Sequence, residues 1–375
     1  MDVIDLARRL IRIDTTNPPG RERDALDLLA PLLSSGGARV TLDRFDEGRG
    51  SLVARFNAGH RAPALCFAGH IDTVPFGGQT WSHPPLGAEE AAGKIYGRGA
   101  SDMKSGIAAM CIAALEMIAE GMDRELALYV FGGEETGCTG SFHALADPAL
   151  LGEPGAVVVA EPTSCRPLLG HKGALWLRCT ATGTTAHGAM PELGDNALYK
   201  AVDAIRAIRD IDWAVPDHAH LGPMTLSVNT LHSGMNTNSV PDRATFDIDM
   251  RTLPGQHGPD IVDRIIRAAP PGTIAAQLLD IPAVWTEPSE PWIESAFQVL
   301  TPLLDAPPAI ETVQFFTDAA AFRRALPDVP ILVLGPGDPA MAHQTDEYCA
   351  IREIRQAVRL YKAIGAAWAA APDNP

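Results

Sequence analysis

Seven residues in five short stretches have the types and spacing for shared chemistry. His70 and Asp72 lie in GHIDTVP, Asp102 in GRGASDMKSG, Glu134 and Glu135 in FGGEETGCTG, Glu161 in AEPT and His343 in AHQTDEY. Imidazole nitrogens with carboxylate oxygens are a donor set for a borderline divalent cation such as zinc. Two such ions need more donors than one, plus a bridge. Asp102 suits bridging because its loop opens a helical run and can be held firmly. Asp72 follows His70 by two residues, so in an extended segment it could orient the imidazole through a hydrogen bond. Singly, each of these is more often a solvated loop residue, and a Glu–Glu pair is more often a wet surface pair. Their placement after successive strand-like runs is what argues for convergence.

Those runs are ALCFA (64–68), ELALYVF (125–131), AVVVA (156–160) and VPILVLG (329–335). Each is aliphatic or β-branched and is followed by a Gly/Pro-rich loop, the pattern of a buried strand. Helical patterns separate them: 25–37, 105–121 and 353–370. In the second, Ile107, Met110, Cys111, Ala114, Leu115 and Ile118 form one apolar stripe. Alternating strands and helices predict an α/β fold, with a mostly parallel sheet covered by helices. Ligands of such sheets bind beyond the carboxyl ends of the strands, where the seven residues gather.

The middle of the chain has another rhythm. Strand-like 174–183, 224–234, 244–255 and 273–281 alternate with helical 195–211 and 259–269. The order βαββαβ predicts a smaller, ferredoxin-like α+β domain inserted at 173–285. The main domain is then discontinuous, 1–172 with 286–375. The Ala-rich C-terminus reads as a helix, and PDNP after it as a frayed end.

Bulk properties narrow the function. The chain has 375 residues and a formal net charge of −16, which argues against nucleic acid and anionic membranes as partners. There is no run of about 18 apolar residues that could span a bilayer, and the N-terminus lacks the apolar run of a signal peptide. Six cysteines are scattered without CxxC pairing. A structural thiolate zinc site and a disulfide framework are therefore not expected, and a reducing cytoplasm is the default location. GRGASDMKSG is glycine-rich, but Met103 stands where a phosphate loop needs glycine.

As an ordered set, GHIDTVPF, W…PP…GKIYGRGASDMKSG, GGEETG, EPTS, HKG, NSVPDRATFDIDMRTLPG and GPGDPAMAHQTDEY span nearly the whole chain. In that set the sequence resembles the dinuclear-zinc metallopeptidase family that includes acetylornithine deacetylase, succinyl-diaminopimelate desuccinylase, aminoacylase and related carboxypeptidases. AEPTS…HKG and LGPG…AHQTDEY look closest to the acetylornithine deacetylases. The resemblance implies that His70, Asp102 and Glu161 hold one metal ion and that Asp102, Glu135 and His343 hold the other. Zinc is the expected metal, with cobalt and manganese as alternatives. It also implies that Asp72 supports His70 and that a cis peptide follows Asp102.

A metal-activated water attacking an acyl carbonyl needs a base that is not itself a ligand. Adjacent glutamates divide these tasks if Glu135 coordinates and Glu134 stays free as general base. In the inserted domain, His187 matches a family histidine that stabilises the oxyanion, often across a dimer interface. Arg251 and Asn238 match positions near the substrate carboxylate, and Thr317 with Asp318 and Ala319 lies in a loop that lines the pocket through backbone groups. Phe316 replaces a glycine common in relatives. His171 and Lys172, at the domain junction, suit a hinge or structural role as well as a catalytic one.

The expected function is therefore metal-dependent hydrolysis of an N-acyl amino acid, acetylornithine deacetylase-like, by a cytoplasmic enzyme that is a homodimer through its inserted lid and dimerisation domain. Desuccinylase, aminoacylase and dipeptidase activities are the alternatives within the family. A metal-binding or regulatory protein without turnover is the alternative of another class.

Overall fold

A computed structural model describes residues 1–371, so the frayed end expected at PDNP (372–375) lies outside the described residues. The chain divides into two compact units: residues 1–170, 285–313 and 317–375, and residues 171–284 with 314–316.

The first unit is built on a six-stranded sheet, in the order Arg39–Asp46, Arg49–Phe56, Leu126–Phe131, Ala64–His70, Pro154–Val159, Ile331–Val333. The last four are mutually parallel. They contain the apolar runs read from the sequence, and every residue of Ala64–His70 and Leu126–Phe131 is buried. Strands covered on both faces read as continuous apolar runs rather than alternating ones. The first two strands form an antiparallel hairpin that the sequence reading did not anticipate. Arg39–Asp46 is an exposed edge carrying Arg39, Asp43, Arg44 and Asp46. Such charges suppress pairing with another chain but also erase the strand's periodicity.

Helix Lys104–Ala119 crosses the sheet and packs against helices Val3–Ile11 and Ile351–Ala370. The single apolar stripe expected for it is not what is found. Residues 104–114 are all buried, as in a helix covered on every side. Gly106 allows the close packing, since a Cβ there would collide with the Ala160 carbonyl at the end of the neighbouring strand. The base of the Asp102 loop is thereby pinned to the strand end that precedes Glu161.

The second unit is a four-stranded antiparallel sheet, ordered Thr225–Ser233, Arg243–Thr252, Gly173–Thr182, Thr273–Ile281. Helices Ala197–Arg209 and Gly258–Ala268 complete the βαββαβ order, and this strand order is that of a ferredoxin-like sandwich. Leu175, Leu177, Cys179, Phe246, Ile248 and Met250 alternate inward to form its core with Ala201, Ala204, Ile208 and Ile265 of the helices.

Candidate metal centre

The carboxyl ends of the parallel strands bring the seven first-unit candidates together. His70 ends strand Ala64–His70, and Glu134, Glu135 and Glu161 follow strands Leu126–Phe131 and Pro154–Val159. Asp102 precedes helix Lys104–Ala119 across a cis Asp102–Met103 peptide. His343 enters from the loop before Tyr348–Ala350, with φ +64.

Asp102 faces both histidines. Its Oδ1 lies 3.0 Å from His70 Nε2, and its Oδ2 lies 3.5 Å from His343 Nε2. Glu161 Oε1 is 3.9 Å from His70 Nε2, on one side. Glu135 Oε2 is 3.0 Å from His343 Nε2, on the other. One ligand atom each from His70, Asp102 and Glu135 falls within 4.8 Å of the others.

The donor set fits cations. Buried Glu135 Oε1 has no hydrogen-bond partner among the described residues. Burial, then the Asp102 carboxylate, pushes Glu161 well above the usual range. Burial also raises Glu135, with His343 opposing and Asp102 adding. Burial alone would lower His70, but the Asp102 and Asp72 carboxylates raise it well above its ordinary value. His343 is raised by its hydrogen bond to Glu135. Clustered carboxylates that are costly to ionise, beside imidazoles held as donors, are relieved when a cation replaces the protons.

Asp72 sits beneath this cluster. His70 Nδ1 lies 3.0 Å from the main-chain carbonyl of Asp72 and 3.5 Å from its carboxylate. That carboxylate accepts the N–H of Glu134 at 3.1 Å, the N–H of Glu135 at 3.3 Å and the Asn17 side-chain amide at 2.9 Å. Asn17 also reaches Thr136 Oγ1 at 3.1 Å. The turn that carries the two glutamates needs Gly133, whose φ is +78 and whose added Cβ would strike Thr139 Oγ1.

Glu134 and Glu135 have different surroundings. Glu135 meets His343, whereas Glu134 is buried beside Cys138, whose Sγ lies 3.6 Å from Glu134 Oε1. Burial, with the Glu161, Glu135 and Asp318 carboxylates adding and His70 opposing, raises Glu134 well above the carboxylate range. Asp318 is itself fully buried, and neither of its oxygens completes a hydrogen bond among the described residues. Burial pushes it up to about 7, moderated by His70 and by nearby Ser141 and Cys138. Thr317 is buried, and its Oγ1 accepts the Ala319 N–H at 3.2 Å.

His187, Asn238 and Arg251 belong to the second unit. His187 and Asn238 lie on adjoining exposed segments: His187 bridges Ser239, and the Gly188 N–H donates to the Asn238 carbonyl at 2.7 Å. Arg251 Nη2 donates to Asp249 Oδ2 of its own strand at 3.2 Å, and its Nε lies 3.1 Å from Oδ1 as an ion-pair contact.

Sequence reasoning assigned no role to Asn17, Arg98 or Glu347, nor one to the Asp318 carboxylate. The signals available were TTNPPG and the glutamate four residues after His343.

The family model described as peptidase family M20/M25/M40 matches residues 66–366. The chain belongs to this family. A Staphylococcus aureus protein named "probable succinyl-diaminopimelate desuccinylase" is 28% identical over 402 residues, covering 96% of this chain and 98% of that one. An acetylornithine deacetylase from Proteus mirabilis is 30% identical, covering 92% and 91%. Among solved structures, an M20 family metallo-carboxypeptidase from Sulfolobus solfataricus superposes with TM-score 0.80 at 17% identity, covering 99% of this chain and all of that one. The α/β fold with a separate smaller domain is thus the family fold. As a family member the chain is a hydrolase of the metal-dependent amide-cleaving class. No described helix is long and apolar enough to cross a membrane.

Proposed function

We propose that this M20 enzyme hydrolyses the amide bond of N-acyl amino acids, using two divalent cations, with zinc as the first choice. The observation that carries the reading is Asp102, which turns one carboxylate oxygen toward each of two histidines, each histidine having a second carboxylate beside it. That is a donor set for two ions sharing one bridge. His70 and Glu161 with Asp102 would hold one, and His343 and Glu135 with Asp102 the other. When bound, the ions supply Lewis acidity, polarising the acyl carbonyl and lowering the pKa of a water.

The chain's own residues do the rest. Glu134 takes the proton of the attacking water as the O–C bond forms. It returns that proton to the departing nitrogen as the C–N bond breaks, leaving a carboxylate and a free amine. Asp72 fixes the His70 ring and, through two main-chain N–H groups, the turn that carries both glutamates. His187, Asn238, Arg251 and Thr317 are assigned to substrate: His187 to the oxyanion, the others to the amino-acid carboxylate and pocket wall. Arg251 exchanges Asp249 for that carboxylate, a bidentate match for its fork. The inserted domain, 173–285, serves as lid and as the homodimer contact. The buried, unpaired state of all six cysteines suits a reducing cytoplasm.

Both relatives named above act, by their names, on amino acids acylated at nitrogen, one with succinyl and one with acetyl. Hydrolysis of N-acetyl, N-succinyl and dipeptide substrates by the zinc, cobalt and manganese enzymes, ranked by kcat/KM before and after chelation, tests the reading. Deacylation that is lost on chelation and restored by metal is expected. Tight metal binding with no turnover across the panel would instead make this a binding protein on an enzyme's fold.

A further inference from the structure

Beneath the candidate metal centre lies a buried ion pair that the proposed chemistry does not use. Glu347 has no exposed surface, and Arg98 almost none. Arg98 Nη1 donates to Glu347 Oε2 at 2.6 Å. Oε2 also accepts the Gly99 N–H at 3.1 Å, and Oε1 accepts the N–H groups of Ser101 at 2.8 Å and Asp102 at 3.0 Å. None of these three N–H groups has a main-chain acceptor among the described residues. The arginine ties down two further loops. Its Nη1 donates to the Gln344 carbonyl at 3.3 Å, and its Nη2 to the carbonyls of Pro75 at 3.2 Å and His343 at 3.5 Å. The Trp81 ring lies 5.2 Å from the guanidinium carbon.

One pair therefore touches the segment after His70, the loop that ends in Asp102 and the loop that carries His343. We propose that Arg98 and Glu347 form a positioning clamp that sets the spacing of these three ligand-bearing loops and thereby fixes cation affinity. The inference rests on the metal-site reading given above.

A purely structural ion pair is the alternative. Buried pairs often add little net stability, because desolvation offsets their attraction. The clamp differs in where its bonds end: on the backbones of His343 and Asp102, not on remote parts of the core. An amide at position 347 keeps the shape but puts an NH2 group against N–H donors, so at least one of these bonds is lost. Groups that orient ligands are worth about 10–100-fold in metal affinity.

The test is chelator competition with zinc and with cobalt(II) on the full-length protein, read beside Tm. Glu347→Gln should weaken cation binding by about 10–100-fold. Glu347→Asp, one methylene shorter but still charged, should recover part of that loss. Glu125→Gln is the control. It breaks the Arg55–Glu125 pair, 2.9 Å apart, at the opposite end of strand Leu126–Phe131 from the cluster. It should lower Tm and leave affinity unchanged. Should Glu347→Gln fail to fold, Arg98→Lys keeps Glu347 and its main-chain donors while losing the fork to the Pro75, His343 and Gln344 carbonyls; it too should bind cations more weakly. Wild-type affinity in the folded position-347 variants, or in Arg98→Lys, overturns the clamp alone. A wild-type protein that binds neither cation overturns the metal-site reading and the clamp with it.

Discussion

The carboxylate of Asp72 accepts the main-chain N–H of Glu134 at 3.1 Å. The group beneath His70 thus also fixes where the proposed base begins. Asn17 holds this carboxylate from the other side, at 2.9 Å. Asn17→Ala removes a hydrogen bond to a charged group, worth roughly 1.5–3 kcal/mol. We expect that loss to lower Tm and, by shifting the turn that carries Glu134, to lower kcat by up to about 100-fold, the scale of a misplaced catalytic group, with metal content unchanged. Wild-type kcat in a folded variant would show that the Asp72 network does not bear on turnover.

Glu134 and Glu135 are neighbours with separate partners, so their substitutions should separate too. Glu134→Gln should retain both metal equivalents and lose about 10²–10⁴ in kcat, the usual contribution of general base catalysis. Glu135→Ala should lose metal first. Metal analysis beside steady-state kinetics decides the matter: most of the wild-type activity surviving in Glu134→Gln removes it as the base.

Asp318 is one of the charges that raise Glu134. Asp318→Asn takes that charge away, so Glu134 should ionise at lower pH than in the wild type. The acidic limb of the kcat/KM profile should therefore move to lower pH. Tm, read beside the profile, checks that the buried amide is tolerated next to Ser141 and Cys138. An acidic limb that stays in place, or moves upward, would mean that Asp318 does not act on the base.

His171 is buried, its Nδ1 lies 2.9 Å from the Lys172 carbonyl, and burial pushes it down to about 4 from its ordinary 6.5. Above pH 6.5 both folded and unfolded chains carry it neutral. Below that, the unfolded chain binds a proton that the folded chain refuses, so stability falls with pH until about pH 4. At about 1.36 kcal/mol per unit, the loss reaches about 3 kcal/mol. Urea midpoints at neutral and mildly acid pH should therefore converge in His171→Gln relative to the wild type. An unchanged difference between the two pH values would assign the acid sensitivity elsewhere.

Much of this architecture is legible in the sequence. The parallel strands are buried on both faces, so aliphatic runs such as AVVVA (156–160) stand out with no need of periodicity. The residues at their ends follow by adjacency, which is why His70, Glu134, Glu135 and Glu161 could be named. What escaped lies in long-range geometry. Edge strand Arg39–Asp46 is mostly exposed, and its charges break up the short alternation of Val40 and Leu42. Helix Lys104–Ala119 is apolar nearly all round, so its stripe carried no information about which side meets the core. Glu347 acts on Gly99, Ser101 and Asp102, some 245 to 248 positions away in sequence. A positioning group is defined by what it reaches, and nothing in AHQTDEY marks that reach.

The cluster is assembled from both sides of the inserted unit, and this has a consequence during synthesis. The ribosome delivers His70, Asp102, Glu135 and Glu161 early, but His343 and Glu347 come only after the insert is made. At about 5–20 residues per second, Glu161 waits on the order of 10–40 seconds for His343. Over that interval strand Pro154–Val159 also lacks its outer neighbour, Ile331–Val333. A nascent chain of this protein therefore passes through a stage with an open sheet edge and a half-built, strongly acidic cluster. Metal capture should then be a late, post-release event, and chains arrested before residue 331 should bind zinc weakly and recruit holdase chaperones.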